Sequence, residues 1–273
     1  MQSVKISVVI PFYGNKAVLK IIEELNNIKY VDQLIVISDK ETIDIKTKHL
    51  VVKSSYPFSS KVIKYICEKV TGDYMIFITD QCSLEIKDST IEQFLKKATN
   101  TGAGLFYSEY FVKSNNEIKR HLLIDYQPGS IRDDFDFGPL LFLKKNVLQI
   151  ACKELQDEQS DSLFSGLYQL RLAFSRKFSI ERISQPLYFV ERLEMENCDE
   201  KLFRYVDPAN RKFQLEMETV ATNHLKKICA YLVPGFNDIN LKENNFSVEA
   251  SIIIPVKNRA RTIKDAVDRK SVV

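Results

Sequence analysis

The order of apolar segments in the first 80 residues constrains the fold most strongly. Ile6–Pro11 is a short run rich in β-branched residues. In Lys16–Asn27, Val18, Leu19, Ile22 and Leu25 fall on one helical face. Gln33–Ile37 and His49–Val52 are again β-prone. Ser60–Val70 repeats the helical spacing through Val62, Ile63, Ile66 and Val70, and Asp73–Ile78 reads as a third strong strand. Strands that alternate with helices of this length predict right-handed βαβ units and a parallel sheet. Ligands of such sheets bind beyond the carboxyl ends of the strands. Three segments follow those ends: Pro11-Phe12-Tyr13-Gly14-Asn15, Ser38-Asp39-Lys40-Glu41 and Thr79-Asp80-Gln81-Cys82.

The middle of the chain is more mixed. Ile91–Asn100 predicts a helix and Gly104–Val112 a strand. Asp125–Phe137 reads as a loop, with turn residues at Pro128-Gly129-Ser130. A strand over Leu140–Phe142, a helix over Val147–Leu155 and a helical stretch over Leu163–Ser175 follow. Ile180–Ile183 and Leu187–Val190 read as strands separated by Pro186. Asp207-Pro208 is a helix-start pair, and it opens a long helix from about Ala209 to Tyr231 that Pro234-Gly235 ends.

Composition excludes several function classes. Lys and Arg total 39 against 36 Asp and Glu, a net charge of +3, which is too mild for a nucleic-acid-coating protein. No apolar run reaches the ~20 residues of a membrane span, and the N-terminal stretch lacks signal-peptide features. Five scattered cysteines with no C-x-x-C pair are expected to be reduced, as in the cytoplasm. Three distant histidines give no H-E-x-x-H zinc site. No G-x-x-x-x-G-K-[ST] or G-x-G-x-x-G loop is present.

The end of the chain repeats its beginning. E-A-S-I-I-I-P-V-K-N-R-A-R-T-I-K-D-A-V matches K-I-S-V-V-I-P-F-Y-G-N-K-A-V-L-K-I-I in the order strand, proline, polar turn and amphipathic helix. Pro255 lies opposite Pro11, and Asn258 opposite Asn15 when one residue is extra in the first copy. The expected organisation is a domain over 1–232, a linker over 233–248 and the truncated start of a second, similar domain over 249–273.

S-V-V-I-P-F-Y-G-N and S-I-I-I-P-V-K-N-R resemble the opening strand of family 2 glycosyltransferases. Leu34–Asp39 is similar to that family's I-I-V-V-D-D, and Gly72–Gln81 to its G-[DE]-Y-I-x-F-L-D-x-D. Gly166–Leu172 is similar to the D-L-x-x-R-L segment near its catalytic base. The four segments occur in family order over about residues 4–190. I-R-D-D-F-D-F-G together with G-L-Y-x-L-R-L resembles a bacterial subgroup with two such domains in tandem. The resemblance implies the GT-A fold: a Rossmann-like α/β arrangement with a mixed, mainly parallel sheet flanked by helices. A long C-terminal helix completes the expectation.

It also implies a reaction. A sugar would pass from a nucleoside diphosphate sugar to an acceptor hydroxyl, with inversion, in surface polysaccharide or glycoconjugate synthesis. The acceptor would be a glycan or lipid-linked, the site cytoplasmic, and the contact with the inner membrane face peripheral. Pro11 and Tyr13 match the base pocket, and Asp39 the nucleotide-contacting acid. Asp80 is the carboxylate of the D-x-D position and the expected ligand of a weakly held divalent cation, Mg or Mn, which prefers oxygen donors. Asp161 is the expected general base. Asp133, Asp134 and Asp136 are expected on the acceptor side. Ser38, Thr79 and Gln81 stand where the family has further acids. They open an alternative, a binding or scaffold domain without turnover that assists a catalytic partner domain. A sugar nucleotidyltransferase is a third reading, but Pro11–Lys16 holds one glycine and one lysine where such enzymes have a Gly-rich basic loop. The apolar segment Ala250–Pro255 is an expected site of self-association.

Overall fold

The computed structural model describes residues 4–43, 49–114, 117–156, 161–191 and 210–236. The chain divides into two compact units, Met1–Tyr231 and Leu232–Val273. The proposed linker falls mostly outside the described residues, and the proposed second-domain start entirely so.

The first unit begins with β1 (Ile6–Pro11), α1 (Lys16–Leu25), β2 (Val31–Ser38), β3 (Leu50–Lys53), α2 (Ser60–Lys69) and β4 (Tyr74–Ile78). These are the expected alternating elements, with ends that coincide or shift by at most two residues. Both helix starts are capped: Asn15 accepts from the Ala17 N–H at 2.9 Å and Ser59 from the Val62 N–H at 3.3 Å. Such caps satisfy backbone donors that a helix leaves open. β5 (Ser83–Glu85), α3 (Asp88–Asn100), β6 (Leu105–Ser108), β7 (Tyr110–Ser114) and β8 (Glu117–His121) follow. The remaining elements are β9 (Leu140–Lys144), α4 (Lys145–Gln156), α5 (Gly166–Lys177), β10 (Ile180–Ile183), β11 (Phe189–Glu191) and α6 (Arg211–Lys227).

Seven strands form the main sheet in the order β10-β6-β9-β4-β1-β2-β3. The pairs β1–β2, β2–β3, β1–β4 and β10–β6 are parallel, whereas β9 runs antiparallel between β4 and β6. β1 is an internal strand between β4 and β2 and every residue of it is buried, which explains its largely apolar run. The chain leaves β1 toward β2 and β3, then returns to β4 on the other side of β1. The order therefore reverses between β1 and β4, and the crevice at that switch point is where such sheets bind ligands.

A second sheet has the order β5-β11-β7-β8. It corrects the single strand expected over Gly104–Val112. The chain changes sheets at Glu109, between β6 and β7. Glu109 is buried; its Oε1 accepts from Arg182 at 2.5 Å and its Oε2 from Arg120 at 2.6 Å. Apolar residues continue on both sides of that point, so periodicity carries no break. β5 and β8 were not expected either. β8 reads E-I-K-R-H and is largely exposed, so it lacks an apolar alternation.

Two further expectations are corrected. The last helix ends at Lys227 rather than Tyr231, because Cys229 adopts a left-handed backbone with φ 57°. Cys67 on α2 and Cys152 on α4 form a disulfide across a sequence separation of 85, with Cα atoms 6.5 Å apart. The pair is invisible as spacing because tertiary packing of the two helices creates it. No helix among the described residues is long and apolar enough to cross a membrane.

Candidate active site

The site lies beyond the carboxyl ends of the main-sheet strands and has two walls. The first is built on the switch point. β1 ends at Pro11, and the chain turns through Tyr13 and Gly14 into α1. Tyr13 donates from its hydroxyl to the Ser54 carbonyl at 3.0 Å. Burial, and then the nearby Asp39 carboxylate, push its phenol up to about 12, so it stays a neutral donor. Asp39 is exposed at the end of β2, beside the buried Ser38 hydroxyl. Asn15 Nδ2 donates to the Gln81 carbonyl at 2.9 Å and so ties the turn after β1 to the turn after β4. Pro11, Tyr13, Asp39 and Asp80 thus follow strands β1, β2 and β4, as expected from the order of elements.

Asp80 is exposed, and its Oδ1 accepts from the Gln81 N–H at 2.8 Å. Among the described residues no three His, Cys, Asp or Glu converge as a metal-binding group. One carboxylate that is partly engaged in its own turn does not make a cation cage of several oxygen donors. The protein groups alone do not fit the expected Mg or Mn, and no step below is routed through a metal.

The second wall is a cavity of about 580 Å³. It runs from Thr79, just past β4, to α5 and α6. Asp133, Asp134 and Asp136 line it together with Phe135, Phe137 and Gly138. The expected acceptor-side acids are therefore brought to one cavity; Asp161 is exposed before α5 and does not line it.

The loop carrying these acids is held by its aromatic residues. Phe135 and Phe137 pack ring on ring at 4.5 Å and meet Tyr107 and Tyr126 edge-on or stacked. Tyr168 of α5 donates to the Ile131 carbonyl at 2.5 Å. Gly138 has φ 71°, and a Cβ there would lie 2.8 Å from the Tyr188 hydroxyl and 2.9 Å from the Tyr110 ring. Only glycine meets both demands.

The acids differ in their engagement. Asp134 receives a two-pronged contact from Arg132, at 2.9 and 2.8 Å, which holds its carboxyl below the usual range. Asp136 accepts from the Gly138 N–H at 2.8 Å and lies 2.8 Å from His121 Nε2. The His121 ring stacks on Tyr110 at 4.7 Å.

Arg171 lies in the same wall. It is 5% exposed, and its guanidinium sits 4.8 Å from the Tyr168 ring centre and 5.9 Å from those of Tyr126 and Phe137. Burial lowers its pKa from the ordinary arginine value, while surrounding tyrosines and aspartates oppose that shift. Arg171, Tyr168 and His121 were not picked out as site residues from the sequence. The available signal was a single arginine inside the apolar run L-Y-Q-L-R-L-A-F.

α6 closes the far side with Phe213 and Met217. Glu216 accepts from the N–H groups of Leu163 and Phe164, at 3.2 and 2.9 Å, and Phe213 packs on Phe164 at 5.8 Å.

No protein-family model matches this chain, and no curated protein matches it in sequence. Solved structures do resemble it. Glucosyl-3-phosphoglycerate synthase from Mycobacterium tuberculosis, solved with Mn²⁺, UDP-glucose and phosphoglyceric acid, is 11% identical; the match covers 82% of this chain and 80% of that one, with a TM-score of 0.51. TarS residues 1–349 from S. aureus, solved with UDP-GlcNAc, is 10% identical over 83% of this chain and 73% of that one, with a TM-score of 0.48. The 4-diphosphocytidyl-2C-methyl-D-erythritol synthase of Anaerococcus prevotii is 11% identical over 74% and 94%, with a TM-score of 0.41. The likeness concerns the fold: a GT-A-type α/β arrangement with a largely parallel central sheet flanked by helices.

Proposed function

We propose that this chain is a glycosyltransferase that moves a sugar from a nucleoside diphosphate sugar to an acceptor hydroxyl. The observation that carries this reading is the juxtaposition of the two walls. Thr79, which precedes Asp80 at the end of β4, lines the cavity with the three carboxylates, and the neighbouring strands β1 and β2 end at Pro11 and Ser38, beside Tyr13 and Asp39. The fold it shares with UDP-sugar enzymes supports the reading, as does the ordered resemblance to family 2 glycosyltransferases. We assign Pro11, Tyr13 and Asp39 to the nucleotide and Asp80 to the diphosphate end.

Inverting transfer needs a base that takes the acceptor proton as the hydroxyl attacks the anomeric carbon. Geometry decides among candidates before basicity does. Asp136 lines the cavity, and two hydrogen bonds fix its carboxylate. Asp134 is neutralised by Arg132. Asp161, the base expected from the sequence, is the second candidate because it lies off the cavity wall. A glycan or lipid-linked acceptor in surface polysaccharide synthesis, at the inner membrane face, remains part of the proposal and rests on the resemblance alone. So does the tandem-domain subgroup, whereas self-association rests on the apolar run Ala250–Pro255.

The test is binding of UDP and UDP-sugars by calorimetry, followed by turnover on a panel of acceptors. Asp39→Ala should weaken UDP binding about tenfold. Asp136→Asn should keep UDP binding and lose ~10²–10³ in kcat, the usual worth of a positioned acid–base group. Absence of UDP binding sinks the reading. The alternative, a sugar-nucleotide-binding domain without turnover, is favoured by Ser38 and Thr79 at family acid positions. UDP binding with no transfer to any acceptor would select it.

A further inference from the structure

Four charged side chains line the cavity: Asp133, Asp134, Asp136 and Arg171. Two of the carboxylates are matched locally, Asp134 by Arg132 and Asp136 by His121 and the Gly138 N–H. Arg171 is different. Among the described residues, its buried Nε and Nη2 have no hydrogen-bond partner. A guanidinium offers five donors in a rigid fork and cannot escape its charge by losing a proton. Buried polar groups are nearly always paired, and an unpaired buried cation is a costly exception that asks for an anion. Three aromatic rings around Arg171 offset part of that cost through their negative faces. Rings accept no strong hydrogen bond, so the two N–H groups still lack acceptors.

We infer that Arg171 makes this cavity an anion-accepting subsite, so that the acceptor carries a phosphate or carboxylate group which pairs with the guanidinium. This deepens the proposed glycosyltransferase reading and rests on it for the word acceptor. Phosphate and carboxylate both fit the planar fork with two parallel hydrogen bonds. Phe135, Phe164 and Phe213 supply apolar walls for the faces of a sugar ring. Asp136 stands in the same wall, where it would meet the acceptor hydroxyl while Arg171 holds the anionic end.

Calorimetry on the full chain at constant ionic strength tests this, with glucose 6-phosphate, glucuronate and glucose as probes, each with and without saturating UDP. At least one anionic sugar should bind about tenfold or more tighter than glucose, with UDP present, because charge-assisted paired bonds are the strong ones. Comparing the two anionic probes tells phosphate from carboxylate recognition. Arg171→Gln should abolish the preference. Should that variant fail to fold, Asp133→Asn decides instead. Asp133 is exposed, and loss of its repelling carboxylate should tighten the anionic probe about two- to fivefold relative to glucose. Equal affinity for the three sugars overturns the inference, as does an anionic probe indifferent to Asp133→Asn. Displacement of the anionic probe by UDP also overturns it, since Arg171 would then serve the donor diphosphate. UDP binding without anion preference defeats this inference and leaves the glycosyltransferase reading standing; anion preference without UDP binding does the reverse.

Discussion

The two walls of the site are built by different means. The switch-point wall hangs on the ends of parallel strands, and its polar groups are satisfied by the turns that follow those strands, with Tyr13 donating to the Ser54 carbonyl. Asp80 binds its own turn, and Asn15 reaches Gln81. The cavity wall depends on elements far apart in sequence. An aromatic loop, α5 and α6 meet there, joined by Tyr168 to Ile131 and by Glu216 to Leu163 and Phe164. The first wall joins the turns at neighbouring strand ends and is modest in charge, with Asp39 and Asp80 exposed. The second gathers three carboxylates and one desolvated cation. A switch-point crevice gives a general nucleotide platform, whereas selectivity is concentrated where remote elements converge.

The largest test of that contrast is reduction of the Cys67–Cys152 disulfide. It ties α2 to α4 across a separation of 85 residues, and closing a loop of that size is worth about 4–5 kcal/mol in the chain-entropy description. Urea unfolding should give an unfolding free energy lower by that amount in the presence of reductant, and an unchanged value would show that the link carries no stability.

Next come two glycines, Gly72 at the amino ends of β1 and β4, away from the site, and Gly166 at the start of α5 beside the cavity. A Cβ at Gly72 would lie 2.7 Å from the Ser7 nitrogen, and one at Gly166 would lie 2.6 Å from the Phe58 carbonyl oxygen. Both neighbours are backbone and cannot rotate away. Gly72→Ala and Gly166→Ala should each cost about 2–4 kcal/mol by overpacking. Gly166→Ala should also displace the start of α5 and so weaken any cavity ligand, whereas Gly72→Ala should leave cavity affinity unchanged in the folded fraction. Equal effects on ligand affinity would show that the start of α5 does not shape the cavity.

Tyr13→Phe is smaller. It removes the hydrogen bond to the Ser54 carbonyl and should cost about 1 kcal/mol of stability, read by the same unfolding curves.

The smallest effect is pH-dependent and belongs to α6. His224 is buried, and burial, then Arg176 and Arg171, lower its pKa from the ordinary 6.5. Arg176 Nη1 lies 3.1 Å from its Nδ1, which fits a neutral ring accepting that bond. The unfolded chain binds this proton more readily than the folded one, so stability is lost as pH falls through 6.5 and below. His224→Gln should flatten the Tm profile between about pH 5 and 7.5; an unchanged slope would show that other groups set it.

How far each region was legible follows from its physics. The alternation of Ile6–Pro11, Lys16–Leu25 and Tyr74–Ile78 fixes strand and helix types, because burial on both faces of a parallel sheet imposes continuous apolar runs. The order of those elements then places Pro11, Tyr13, Asp39 and Asp80 after strand ends. The sheet change at Glu109 left no trace, since an acid in an apolar run acquires meaning only when Arg120 and Arg182 arrive from β8 and β10. β8 was likewise hidden, being polar and exposed.

By itself, then, the sequence determined the α/β class, the segments that follow the first strand ends, and the clustering of Asp133, Asp134 and Asp136 in one loop. Only the tertiary structure decided that those acids line a cavity which Asp161 does not, that Cys67 meets Cys152, and that Arg171 lies buried among rings with two N–H groups unmatched. The division has one cause. Hydrophobic periodicity is a local signal written within a few turns or strands, whereas pairing of charges, thiols and aromatic faces depends on segments that folding alone brings within a few ångströms.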